Sequence, residues 1–88
     1  MEIVLLSQAG CNPCVRVRRL LDEIRADVPG LEVREVAMGS PEGFELALSY
    51  SLLFPPAVFL GRRLLAKGKV YPDPLREAIL REAAKRAS

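Results

Sequence analysis

Four apolar residues in a row, Ile3-Val4-Leu5-Leu6, set the strongest limit on what this chain folds into. Two of the four are β-branched, and a short run without polar alternation suits a strand covered on both faces. Such a strand needs helices above and below its sheet. The following stretch supplies one. Cys14, Val17, Leu21, Ile24 and Val28 are spaced 3, 4, 3, 4, which places them on one face of a helix. Between strand and helix, Ser7 to Pro13 carries Ser, Gly, Asn and Pro and reads as a turn. Pro29-Gly30 ends the helix.

The rest of the chain repeats this grammar. Leu31 to Ala37 is a second strand of mixed polarity, as at a sheet edge. Ser40-Pro41-Glu42 starts a second helix with a hydroxyl cap and a proline where no amide hydrogen is missed. That helix runs to about Tyr50 and is weakened by Gly43. Leu52-Leu53-Phe54 leads into Pro55-Pro56 and a third strand, Ala57 to Leu60. Gly61-Arg62 makes a two-residue turn into a fourth strand, Arg63 to Ala66. After Lys67-Gly68-Lys69, Asp73-Pro74 reads as another cap-and-proline start, for a helix to about Ala87. That helix is expected to bury Leu75, Ile79 and Ala83, with Ala78 and Leu80 alongside. Pairs four apart, Arg18 with Asp22, Arg19 with Glu23, Glu77 with Arg81 and Glu82 with Arg86, would lace the wet faces. The order is β-α-β-α-β-β-α, which predicts an α/β fold with a four-stranded mixed sheet and helices on both faces.

Size and composition narrow the function. A chain of 88 residues buries about 64% of its unfolded surface, enough for one core. One domain over residues 1–88 is therefore expected, with no repeat, linker or low-complexity segment. The net charge of +2 is too slight to call for nucleic acid. No apolar stretch approaches a membrane span. The start, Met1-Glu2, lacks the basic end of a secretory signal, so a cytoplasmic protein is expected. There is no histidine, which excludes histidine bases and ligands. Redox or metal chemistry must pass through the two cysteines, Cys11 and Cys14.

Cys11-Asn12-Pro13-Cys14 falls at the strand-to-helix turn. Residues i and i+3 share a helix face, so the two sulfurs can come within bonding distance. At a helix start, free amide hydrogens and the dipole favour a thiolate, the reactive form of the thiol. Pro13 restricts the turn and wastes no donor. Two buried structural cysteines, or half of a zinc site, remain open readings at this point.

The run Gly10-Cys11-Asn12-Pro13-Cys14-Val15-Arg16 resembles the active-site turn of glutaredoxins, with a thioredoxin-like proline before the second cysteine. Tyr50-Ser51-Leu52-Leu53-Phe54-Pro55-Pro56-Ala57-Val58-Phe59 resembles the thioredoxin stretch in which a tyrosine precedes the cis-proline by six residues. Together, over nearly the whole chain, these segments resemble the thioredoxin superfamily, nearest its small glutaredoxin-like members. The resemblance implies a thioredoxin-like fold and dithiol–disulfide exchange in electron transport, without a cofactor. Cys11 would be the nucleophile and Cys14 the resolving thiol, the two forming the Cys11–Cys14 disulfide. Gly10, Asn12, Pro13, Pro55 and a cis Pro56 would bind substrate. The partners implied are a protein or low-molecular-weight disulfide and a reducing partner, either a reductase or glutathione, with no nucleic acid and no membrane.

Some positions depart from the family. Pro55 offers no amide hydrogen where the family pairs backbone with the bound chain. Gln8 stands where glutaredoxins place a basic residue, and Gly68-Lys69 where they place two glycines. Gly10 and Leu5 replace the tryptophan and the buried aspartate of thioredoxins. Arg16, Arg18 and Arg19 add charge to the first helix, most of it directed to solvent. Two other readings stand beside exchange. Two chains could pool their cysteines around a metal ion or iron–sulfur cluster. Alternatively, the pair could switch a partner-recognition patch containing Val15, Tyr50 and Phe54, although Val15 and Phe54 would equally serve as core.

Overall fold

The computed structural model describes residues 1–87. In chain order the elements are β1 (Glu2–Ser7), α1 (Asn12–Asp27), β2 (Glu32–Ala37), α2 (Pro41–Ser49), β3 (Ala57–Leu60), β4 (Arg63–Lys67) and α3 (Pro72–Ala87). The sheet order is β2-β1-β3-β4, with β1 parallel to β2 and antiparallel to β3. A parallel neighbour requires a crossover, and α1 provides it. The apolar first strand lies inside the sheet, and the mixed-polarity second strand lies at its edge, as their patterns require.

Alternate residues of β1 feed two cores. Ile3 and Leu5 pack with Val17, Leu21 and Ile24 of α1, Val58 and Leu60 of β3, and Leu75 and Ile79 of α3. Val4 and Leu6 pack on the other face with Val36, Ala47, Leu52, Ala57 and Phe59, beneath α2. This is the period-two alternation of a strand with both faces buried. Every residue of the 3-4-3-4 stripe, Cys14 to Val28, is buried.

The local signals act as their chemistry dictates. Ser40 Oγ accepts the Gly43 amide hydrogen at 3.1 Å and caps α2, with Pro41 following. Gly61 takes a φ of +59° in the tight β3–β4 turn, a conformation costly for any residue with a Cβ.

Three expectations are corrected. α3 starts at Pro72, not at an Asp73 cap. The Tyr71 carbonyl accepts the Leu75 amide at 3.2 Å, so Pro72 and Pro74 both fall in the first turn, where no partner exists for an amide hydrogen. Leu80 is exposed rather than buried, one step around the helix from the wholly buried Ile79. Arg18 is drawn across to Glu35 of β2, and Glu82 to Arg63 and Lys85. Helix-surface pairing four apart is worth only about 0.2–0.5 kcal/mol, so a well-placed partner on a neighbouring element outcompetes it.

Candidate functional site

β1 delivers the chain into a turn that the Cys11 amide closes on the Gln8 carbonyl at 3.3 Å. Gly10 takes a φ of +77° there. Cys11 is the N-cap of α1 and stays extended, with φ −88° and ψ 100°. Its Sγ accepts the Cys14 amide hydrogen at 3.1 Å, occupying the place a serine or aspartate oxygen usually takes. Pro13 lies in the first turn. The two cysteines are joined as a disulfide, with Cα atoms 5.2 Å apart.

The helix geometry makes the pair unequal. Cys11, outside the first turn, is partly exposed, whereas Cys14 begins the buried stripe and is 1% exposed. Cys11 is the more accessible residue of the two, and Cys14 lies against the core.

The Pro55–Pro56 peptide bond is cis. Pro56 is fully buried and Pro55 half-buried. The Pro56 carbonyl accepts the Gly68 amide at 2.8 Å, which fixes the stretch after β4 beside the proline pair. A groove of about 660 Å³ opens between these segments. Pro13, Arg16, Val17 and Leu20 form one wall, Pro55 and Pro56 another, and Gly68 to Val70 with Pro72 the third.

Of the expected site residues, Pro13, Pro55 and Pro56 thus share one groove, next to Cys14 in sequence. Gly10 and Asn12 are exposed at the turn and do not line it. Gln8 is also exposed. Leu20, Val70 and Pro72 also line the groove, and no sequence motif marks them. Leu20 flanks the buried stripe of α1, and that offset position was the only hint.

Two further features lie near the site. Leu53 and Phe54 are 81% and 74% exposed directly before Pro55, so the core reading of Phe54 is overturned. The chain turns there under the constraint of two prolines, leaving those side chains no face of an element to pack on. On the other flank of α1, Ser7, Glu35 and Arg18 form a polar cluster. The Arg18 guanidinium, supported by the Ser7 hydroxyl, holds the Glu35 carboxyl below the ordinary carboxylate range, against burial that pushes it upward. Among the described residues, no group of three or more His, Cys, Asp or Glu side chains is placed to hold a metal ion, and no helix is long and apolar enough to cross a membrane.

The architecture and the cysteine turn define a thioredoxin-like fold with a CxxC pair at disulfide distance. Solved thioredoxins share the fold. Thioredoxin 1 of Thermosipho africanus superposes over 100% of both chains with a TM-score of 0.71 at 11% identity. Oxidised thioredoxin O2 of Arabidopsis thaliana matches 92% of this chain and 71% of its own with a TM-score of 0.61 at 17% identity. Fasciola hepatica thioredoxin matches 99% and 80% with a TM-score of 0.55 at 20% identity. No protein-family model matches the sequence, and no curated protein matches it. The likeness is therefore one of fold.

Proposed function

We propose that the chain is a thiol–disulfide oxidoreductase that works through Cys11 and Cys14. The single observation that carries this reading is the unequal cysteine pair at a helix start, beside a groove shared by Pro13 and Pro56. In the reduced protein, the first-turn amides and the helix dipole favour Cys11 as thiolate. The thiolate attacks one sulfur of a substrate disulfide, and the other sulfur leaves as a thiolate that takes up a proton. Cys14 then gives up its proton, and its sulfur attacks Cys11 in the mixed disulfide. The second substrate thiol leaves, and Cys11–Cys14 is oxidised. Two electrons and two protons pass to the substrate in all.

Pro55 shapes what binds. It presents a carbonyl but no amide hydrogen, so an extended substrate gains one backbone bond there instead of two, a loss of about 0.5–1.5 kcal/mol. Apolar contact can offset that loss, and Leu53 and Phe54, exposed directly before Pro55, are available to make it. They favour a protein disulfide over a small one. A reductase or glutathione would return the pair to the dithiol, in a reducing compartment such as the cytoplasm.

The test is a trap. Cys14→Ser leaves Cys11 to form a mixed disulfide that cannot be resolved. Incubated with a protein disulfide, the variant should accumulate a covalent adduct through Cys11 that dithiothreitol releases. Wild-type protein should turn the same substrate over without accumulating it. A reduced wild-type protein that shows an ordinary Cys11 thiol acidity near pH 8.5, no turnover and no adduct sinks the proposal.

A further inference from the structure

The groove accounts for one flank of α1 and leaves the polar cluster on the other flank without a task. Ser7 is the buried polar residue at the end of β1, four positions before Cys11. Its hydroxyl donates to Glu35 Oε2 at 2.6 Å. Arg18 grips the same carboxylate with two bonds, Nε to Oε1 at 2.6 Å and Nη2 to Oε2 at 2.5 Å. One carboxylate thus joins β1, β2 and α1. Leu5 and Glu35 are register partners, so Glu35 lies on the sheet face that α1 covers.

Arg18 comes four residues after Cys14. Side chains four apart on a helix lie about 5–6 Å apart at their Cβ atoms. Helical side chains also lean toward the N-terminus, and the N-terminal end of α1 is the end that carries both cysteines. An unneutralised cation there would favour the thiolate forms. Two carboxylates face it: Asp22 on its own helix and, with direct bonds, Glu35 on β2. Ser7 brings a hydroxyl from β1 and no charge.

We propose that Glu35 is a positioning residue that pins Arg18 and cancels its charge, and so sets how much thiolate the reduced cysteine pair carries. This rests on the exchange reading for its use, but not for its measurement. The quantity is a property of the reduced protein whether or not a substrate is turned over.

The experiment follows carboxamidomethylation of the reduced protein by iodoacetamide against pH, with thiolate absorbance near 240 nm as a second readout. Glu35→Gln keeps the size, removes the charge and leaves one acceptor oxygen for Ser7 or Arg18. Its titration midpoint should fall, with about a three- to tenfold larger thiolate fraction below the wild-type midpoint. Arg18→Gln should move the midpoint the other way, because Glu35 is then uncompensated. The double variant should return close to wild type, and Glu35→Asp should restore most of the wild-type profile. A merely structural role would change the denaturation midpoint in these variants and leave the thiol titrations superimposed; that result, or a Glu35→Gln midpoint equal to wild type, overturns the proposal. A shifted Glu35→Gln midpoint in a protein that forms no Cys11 adduct would uphold this inference and defeat the exchange reading.

Discussion

Replacing Gly43 by alanine sets two effects of opposite sign against each other. Helix propensity alone favours the change by about 0.5–1 kcal/mol, since glycine loses more backbone freedom than alanine. The structure opposes it. Gly43 is buried in the first turn of α2, where that helix crosses the end of β2. An added Cβ would run into the Ala37 carbonyl oxygen and lie 2.8 Å from the Ala37 carbonyl carbon and 2.9 Å from Met38 Cα. All three are backbone atoms, so no side chain can swing aside. Relief requires α2 to lift off β2, against two bonds that the Ala37 carbonyl accepts, from the Ser40 amide at 3.0 Å and the Ser40 hydroxyl at 2.6 Å. Overpacking costs about 1–3 kcal/mol, and loosening one such bond about 1 kcal/mol more. The net expectation is a loss of about 2 kcal/mol, or roughly 8–16 °C in melting temperature for a domain of this size. Thermal and urea denaturation of the oxidised protein read it directly. Gly39→Ala is the control, because nothing lies within 4 Å of a Cβ there, and its stability should stay within about 0.5 kcal/mol of wild type. A Gly43→Ala protein as stable as wild type, or more so, would refute the close approach of α2 to β2. The effect should also reach the site, since the Met38 amide donates to the Ser7 carbonyl at 2.7 Å, at the strand end that leads to Cys11.

Two further outcomes are expected. Phe54→Ser should leave the denaturation midpoint unchanged within about 0.5 kcal/mol, since the ring is 74% exposed, a change typical of surface sites. If a protein substrate covers about 100 Å² of that ring, at about 25 cal/mol per Å², kcat/KM for a protein disulfide should fall by roughly 70-fold, while a small aromatic disulfide is spared. Equal effects on both substrates would remove Phe54 from recognition. Arg18 and Arg34 hold the carboxyls of Glu35 and Glu42 below the ordinary range, so their contribution is present above the unfolded carboxylate value and is lost as pH falls through the lowered folded value. The urea midpoint should therefore drop on acidification below about pH 4.5 and drop less in Glu35→Gln/Glu42→Gln; parallel curves for the two proteins would contradict this.

What the sequence disclosed depended on the range of the interaction. The stripe from Cys14 to Val28 and the run Ile3 to Leu6 are local patterns, and each became a buried element because periodicity alone selects the face. The Ser40-Pro41 start is local too, and it caps α2 as its chemistry requires. The start of α3 lies two residues before the Asp73-Pro74 start that the sequence suggests, because Tyr71-Pro72 and Asp73-Pro74 are rival starts and only the chain's path out of β4 decides between them. The Arg18–Glu35 pair spans 17 positions and depends on the parallel register of β1 and β2, which no local pattern encodes. The groove is likewise an encounter of three separate segments, and Val70 becomes part of it because the Gly68 amide is tied to the Pro56 carbonyl.

The core and the cysteine pair are built from one pattern, and this limits how independently they can vary. Cys14 is both the first member of the α1 stripe and the proposed resolving sulfur. The same spacing that sends Val17 and Leu21 into the sheet hides Cys14. Cys11, three positions earlier and still extended at the cap, escapes that burial. The inequality of the sulfurs is thus a consequence of where the helix begins. Shifting the cysteines by one residue along the helical stripe would rotate the pair by about 100° around the axis, exposing Cys14 or burying Cys11 and erasing the difference on which the proposed attack and resolution depend. Pro13, fixed in φ and without an amide hydrogen, fits the first turn at its observed position, beside the cap that keeps Cys11 extended.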